Sequence, residues 1–257
     1  MERLDRSTFL RQNTATNFLA DMNIETVELQ GYNYIKLTYS YASDKELLDK
    51  LIEKATRMAG VVNPHSPDGK LRTQDVRFNK LLGGLLAEAA FLTYLEKRAG
   101  EKRVKFEVVD SSFTQEEELE KLGFNQIDLK IRVNGVLKDI EIRSSFSYKT
   151  TLQRLFGVPL VNGRGAFSII GWYTSENKPK EVKKDYYIFA IHLYLPSEAQ
   201  KRIQENIEVY LAGAASKQTL EDKGEDSSLK QEGARFRVIN PLNSVEDPVA
   251  VIDEILS

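Results

Sequence analysis

The chain has no cysteine, which excludes disulfides, thiolate zinc sites and a cysteine nucleophile. Histidine is nearly absent too: with only His65 and His192, no histidine-rich metal centre is expected. No apolar run approaches the ~18–20 residues that a membrane span needs. The opening Met-Glu-Arg-Leu-Asp-Arg lacks the basic flank and apolar core of a signal peptide, so the expected address is the cytoplasm, with no membrane partner. There is no excess of positive charge. A net charge of -2 excludes a uniformly basic nucleic-acid binder and leaves room only for local basic patches. Internal repeats, low-complexity tracts, a Walker-type phosphate loop and a dinucleotide fingerprint are all missing.

What remains is 257 residues, 41% hydrophobic and 29% charged, which suits one large soluble domain or two small ones, with an ample core. The centre of the fold is read from residues 125–147. Two strand-like runs, 127–133 and 136–143, flank Asn134-Gly135, the dipeptide most suited to a two-residue hairpin turn. Side chains alternate across a strand, so Ile127, Leu129, Ile131 and Val133 share one face, and Asp128, Lys130 and Arg132 the other. Counting back from the turn pairs Val133 with Val136, and Asp128 with Glu141. Two directly opposed carboxylates repel. A shared cation removes that repulsion, and Mg²⁺, which takes oxygen ligands and often one or two carboxylates, suits the pair. The plainer reading is the solvated polar face of a surface hairpin.

Around this hairpin the elements follow from pattern. Residues 25–41 are rich in tyrosine and β-branched residues and predict two strands hinged near Gly31, their rings packed in a sheet face rather than offered to bases. Ser43 with Glu46 reads as a capping box opening a helix closed by Gly60. His65 falls in a loop at 63–69 and reads as a surface residue. Residues 72–99 form the best helix candidate, ended by Gly100. Its Gly83-Gly84 pair implies close approach by another backbone. Glu88 stands among Leu85, Leu86, Ala87, Ala89, Ala90 and Phe91. It is either a carboxylate aimed at a metal or water, or a salt-bridged or half-exposed glutamate.

A strand is expected at 104–109, an acidic solvated insert at 114–123 and a short helix within 149–160. Asn162-Gly163-Arg164-Gly165 forms a basic turn. Buried strands are expected at 166–173 and 185–195. Between them Lys178, Lys180, Lys183 and Lys184 form a basic loop, ordinarily just solvated, but also what contact with a phosphate backbone requires beside an acidic metal centre. An amphipathic helix at 197–209, a short strand at 210–215, a polar loop at 222–232, a strand at 236–239 and a helix at 249–256 complete the prediction.

A helix carrying Glu88, a strand, and a hairpin carrying Asp128 and Glu141-Ile142-Arg143 resemble, in that order, the PD-(D/E)XK nuclease superfamily, the fold of most type II restriction endonucleases. Ile127-Asp128-Leu129 matches the first motif without its proline. Glu141-Ile142-Arg143, followed by Ser144-Ser145, matches the second with arginine where lysine is usual. The resemblance implies an α/β (α+β) fold: a restriction-endonuclease-like core at about 72–195, its central mixed β-sheet flanked by helices, within a single nuclease domain over 1–257 to which the N-terminal and C-terminal segments are additions.

It further implies Mg²⁺, with Mn²⁺ able to substitute, held by Asp128, Glu141 and the Ile142 carbonyl and tuned by Glu88, and hydrolysis of phosphodiester bonds in double-stranded DNA by a homodimer. Arg143 would stabilise phosphate charge but, being always protonated, could not serve as a base. Either the phosphate or bulk solvent would take the proton, or Lys130, on the face of Asp128, would substitute, or the enzyme would be weak. Sequence recognition would fall to the turn with Asn162 and Arg164, the lysine loop and the C-terminal segment. The competing expectations are a defence, repair or RNA-processing nuclease of the same fold, and a non-catalytic nucleic-acid-binding or interaction protein.

Overall fold

The structure, a computed structural model, describes residues 23–29, 31–61, 71–111, 129–148, 151, 155, 168–174, 182–228, 235–240 and 247–257. Its frame is a seven-stranded mixed sheet. The strands are β1 (Asn23–Leu29), β2 (Tyr32–Ser40), β3 (Phe106–Ser111), β4 (Leu129–Val133), β5 (Val136–Phe146), β7 (Tyr186–His192) and β8 (Asn206–Ser216), in the spatial order β1-β2-β8-β7-β5-β4-β3. Every neighbouring pair is antiparallel except β5 and β7, which run parallel. A second sheet, β6-β10-β9, is built from β6 (Ile169–Tyr173), β9 (Glu225–Ser228) and β10 (Arg235–Ile239). The helices are α1 (Tyr41–Val61), α2 (Gln74–Lys102), α3 (Ala199–Arg202), α4 (Lys217–Lys223) and α5 (Pro248–Ile255).

Alternation along the central strands divides the core in two. Ile188 and Ala190 of β7, Val209 and Leu211 of β8, and Ile140 and Ile142 of β5 join one apolar cluster with α1, α2 and α5. Tyr187, Phe189 and Ile191 of β7, with Tyr210 and Ala212 of β8, join a second cluster with Ile169 and Trp172 of β6, Leu220 of α4 and Ile239 of β10. The central sheet is therefore buried on both sides, helices on one face and the small sheet on the other. Strands β7 and β8 accordingly read as near-continuous apolar runs, as doubly covered strands do.

The hairpin forms in the predicted register, from Val133↔Val136 to Leu129↔Ile140. Its turn residues, Asn134 and Gly135, both have positive φ, as a two-residue turn of this twist requires. Strands β1 and β2 hinge at Gly31, and Tyr32, Tyr34 and Tyr39 are buried in the sheet rather than displayed.

Several expectations need correction. Helix α2 does not stop at Gly100. It runs to Lys102 and closes on Arg103 in the left-handed region at φ 56. Ser43 does not cap α1: its hydroxyl donates to the Ser40 carbonyl, and the Asp44 carboxylate accepts the Ser40 N–H instead. The helix expected at 197–209 is a 3₁₀ turn, Pro196–Glu198, followed by the single turn of α3. Ile207 and Val209 belong to the eleven-residue β8. Part of the polar loop expected at 222–232 is the end of α4 and all of β9. The segment before residue 23, the loop with His65, the acidic insert and most of the expected helix at 149–160 lie outside the described residues. Leu155 is described: its N–H bonds the Thr151 carbonyl at 3.0 Å, as in a helical turn, and it is buried in the cluster of the small sheet.

Candidate functional site

Strand β5 sits between β4 and β7; among the described residues β4 pairs with its first half, as far as Leu129↔Ile140. The remainder, from Glu141, continues beside β7 alone among the described residues. Asp128 lies outside the described residues. It is bonded to Leu129, one step from the last described pair, and Glu141 is the corresponding next residue on β5.

Orientation follows from the ladder. Asp185 N–H donates to the Asp139 carbonyl at 2.9 Å, and Ser147 N–H to the His192 carbonyl at 2.8 Å. Odd-numbered β5 residues therefore turn their backbone groups toward β7, and even-numbered residues, Ile142 among them, toward β4. The Ile142 carbonyl thus points to the side of β5 on which β4 lies. The Ile142 side chain is buried against the helices, while Glu141 and Arg143, aligned with Tyr187 and Phe189, face the small sheet.

On that face the Glu141 and Arg143 side chains are 12% and 18% exposed, and Arg143 Nε donates to Glu141 Oε1 at 3.0 Å. The guanidinium lies 5.8 Å from the ring centre of Tyr173 and 5.9 Å from that of Phe236. Lys130 shares this face. Its Nζ stands 3.2 Å from Asp139 Oδ1, on the residue directly opposite in the hairpin. Asp139 N–H is in turn held by Asp185 Oδ2 at 2.8 Å, fixing the entry to β7 beside β5.

The structure does not bring all the predicted residues together. Glu88 is 3% exposed, which removes the half-exposed reading. It lies in the middle of α2, on the helix layer of the sheet and not on the face of the Glu141 side chain. Lys183, half-exposed, pairs with Glu221 at 2.7 Å and lies 4.4 Å from the Trp172 ring centre. Lys184 is buried at 1% exposure. Asn162, Arg164, Lys178 and Lys180 lie outside the described residues.

The donors Glu141 and the Ile142 carbonyl are hard oxygens, as is the Asp128 carboxylate, and they fit Mg²⁺ or Mn²⁺ better than a soft metal. Among the described residues, no group of three or more acidic, histidine or cysteine side chains is gathered at one point, so any such site depends on Asp128.

Sequence reasoning missed the aromatic pair at Arg143. In the sequence Tyr173 is only the end of an expected strand and Phe236 only the start of one. They meet across β6 and β10, and spacing alone cannot pair residues so far apart.

Comparison with known proteins finds similarity to a Methanocaldococcus jannaschii protein named Uncharacterized protein MJECS01, 25% identical over 236 residues and covering 82% of each chain. No family model and no solved structure matches the chain. Among the described residues, no helix is long and apolar enough to cross a membrane.

Proposed function

We propose that the protein is a metal-dependent endonuclease that hydrolyses phosphodiester bonds in double-stranded DNA, a restriction-type enzyme acting as a cytoplasmic homodimer. The observation that carries the reading is the register of β4 and β5. It runs unbroken to Leu129↔Ile140, and Glu141 follows Ile140 on a strand that lies parallel to β7, while Asp128 is the residue bonded to Leu129. The order around it agrees with the resemblance: a leading helix, α2, then an antiparallel meander, β3-β4-β5; a helical turn at Leu155 on the opposite face and a further strand, β7, follow.

In this reading Asp128, Glu141 and the Ile142 carbonyl hold the cation. The cation, when bound, supplies neutralisation of the scissile phosphate and a lowered pKa for the attacking water. Arg143 orients a phosphate oxygen through its fixed fork of donors, and being permanently charged it accepts no proton. The Lys130 ammonium is engaged by Asp139, directly opposite it and two residues nearer the turn than Glu141. The proton lost from water therefore passes to the phosphate or to solvent. The Arg143–Glu141 pair also means that the carboxylate must be shared between the guanidinium and the cation.

That pair motivates a second reading, a member of the same superfamily that binds nucleic acid without cutting it. The test is incubation of mixed-sequence duplex DNA with Mg²⁺ or Mn²⁺, for the wild type, Asp128→Ala and Glu141→Ala. Discrete fragments from the wild type alone are expected. A smear abolished by both substitutions would keep the nuclease and remove sequence specificity. Binding without cutting under either metal would favour the second reading. Neither binding nor cutting of DNA or RNA would leave a protein whose hairpin carboxylates are ordinary surface charge.

A further inference from the structure

We propose that Tyr173 and Phe236 are positioning residues for Arg143, and that this aromatic pair is why arginine stands where the second motif ordinarily has lysine. The inference rests on the nuclease reading above. Its grounds are geometric. Tyr173 and Phe236 are direct partners across β6 and β10, with ring centres 4.3 Å apart, and the Arg143 guanidinium lies within 6 Å of both. Phe236 is 2% exposed, so its ring has little freedom to leave.

The strand behind it is anchored. The register of β10 shifts between Phe236 and Val238, and Arg237, at the irregularity, is tied to α4 by Nε on the Leu220 carbonyl at 2.8 Å and by Nη2 on the Glu221 carbonyl at 2.7 Å. Arg237 also reaches Asp226 of β9 at 3.4 Å. The small sheet therefore acts as a rigid plate delivering two rings to one cation.

A guanidinium is flat, weakly hydrated and suited to lying against rings while its edge makes directed hydrogen bonds. An ammonium on a flexible stem is a hydrated point charge with no such preference. The Nε bond to Glu141 fixes one edge of Arg143, and the rings fix its side. Together they leave the group one orientation beside the carboxylate. Lysine at this position would lose both constraints.

Two readouts test this. The first is the Nε–H resonance of Arg143 in a nitrogen–proton correlation spectrum of the metal-free protein. It should shift on Phe236→Leu and on Tyr173→Leu, and return toward the wild-type position in Phe236→Tyr. The second is a double-mutant cycle on DNA cleavage. A partly desolvated cation–π contact, intermediate between the exposed and desolvated cases, corresponds to about a 10-fold effect. Phe236→Leu should therefore slow cleavage about 10-fold with arginine at 143, and less than about 2-fold in the Arg143→Lys background. Tyr173 is only partly buried, so Tyr173→Leu serves if Phe236→Leu fails to fold. An unmoved resonance, or equal losses in both backgrounds, would overturn this inference while leaving the nuclease intact. A wild type that cuts neither DNA nor RNA would overturn both.

Discussion

At the scale of single residues, the two adjacent glycines of α2 have opposite surroundings. A Cβ on Gly83 would stand 2.7 Å from Phe146 Cζ and 3.3 Å from His192 Nε2, whereas one on Gly84 would meet nothing within 4 Å. The close approach that the pair implies is made by side chains, not by a backbone, and at one glycine only. Gly83→Ala is predicted to destabilise by about 1–3 kcal/mol through overpacking. Gly84→Ala should stabilise by about 1 kcal/mol through helix propensity. Urea unfolding of the two variants reads both signs.

The same corner holds His192. Its Nε2–H donates to the Gly83 carbonyl at 3.0 Å, which leaves Nδ1 to accept the Tyr194 hydroxyl at 3.1 Å. Burial pushes its pKa down to about 4, against an ordinary value of 6.5. The unfolded chain therefore binds the proton first as pH falls. The stability contributed by neutral His192 is complete above about pH 6.5 and disappears between there and pH 4. Between pH 7 and pH 5 the loss amounts to about 2 kcal/mol. His192→Gln should flatten the pH dependence of the urea midpoint over that window, and an unchanged slope would contradict it.

At the scale of elements, docking is done by a few polar groups. Asp247 caps α5, accepting Ala250 N–H at 2.9 Å, while its other oxygen accepts the Asn33 backbone N–H at 3.2 Å and side-chain amide at 2.6 Å. One carboxylate thus starts the last helix and pins it to β2. Asp247→Ala should cost about 2 kcal/mol, the upper range for a lost cap, measurable as a lower urea midpoint. The far end of the same helix is held by Lys138, whose Nζ reaches the Ile255 carbonyl at 2.7 Å. Arg98 bonds both oxygens of Asp253 at 2.7–2.8 Å, joining α2 to α5.

Elements with strong local pattern were legible in the sequence: the hairpin down to its register, α1, α2, α5 and the tyrosine-bearing strands. The failures have local causes. Ile203 and Ile207 are four apart, as on a helix, yet Ile207, Val209 and Leu211 also alternate as on a strand. The neighbours of β8 in the sheet decide between the two periods, and no local pattern can report them. Strand β9, Glu225–Ser228, is polar throughout and exists because β10 pairs with it. Of the site, the placement of Glu141 and Arg143 on one face was legible. The rings at Arg143, the capture of Lys130 by Asp139 and the pairing of Lys183 with Glu221 were not, since each depends on partners that the fold brings in.

At the scale of the whole molecule, the sheet does not end where the resemblance would place the core. Strand β8, beyond residue 195, lies between β7 and β2, so the N-terminal hairpin continues the same sheet, and α5 packs in the apolar cluster on its helix side. The helix layer and the small sheet cover opposite faces. The Glu141 carboxylate faces the small sheet, just past the last described pair of β4 and β5, Leu129↔Ile140. The account requires this place to hold a divalent cation with Asp128 and Glu141 as ligands. Titration of the metal-free protein with Mn²⁺, followed by calorimetry for the wild type, Asp128→Asn and Glu141→Gln, tests that claim most directly. The account predicts a stoichiometric site in the wild type that each substitution weakens by at least about 10-fold, the cost even of losing a group that only supports a ligand. Equal Mn²⁺ affinity in all three proteins, or none in the wild type, would contradict it.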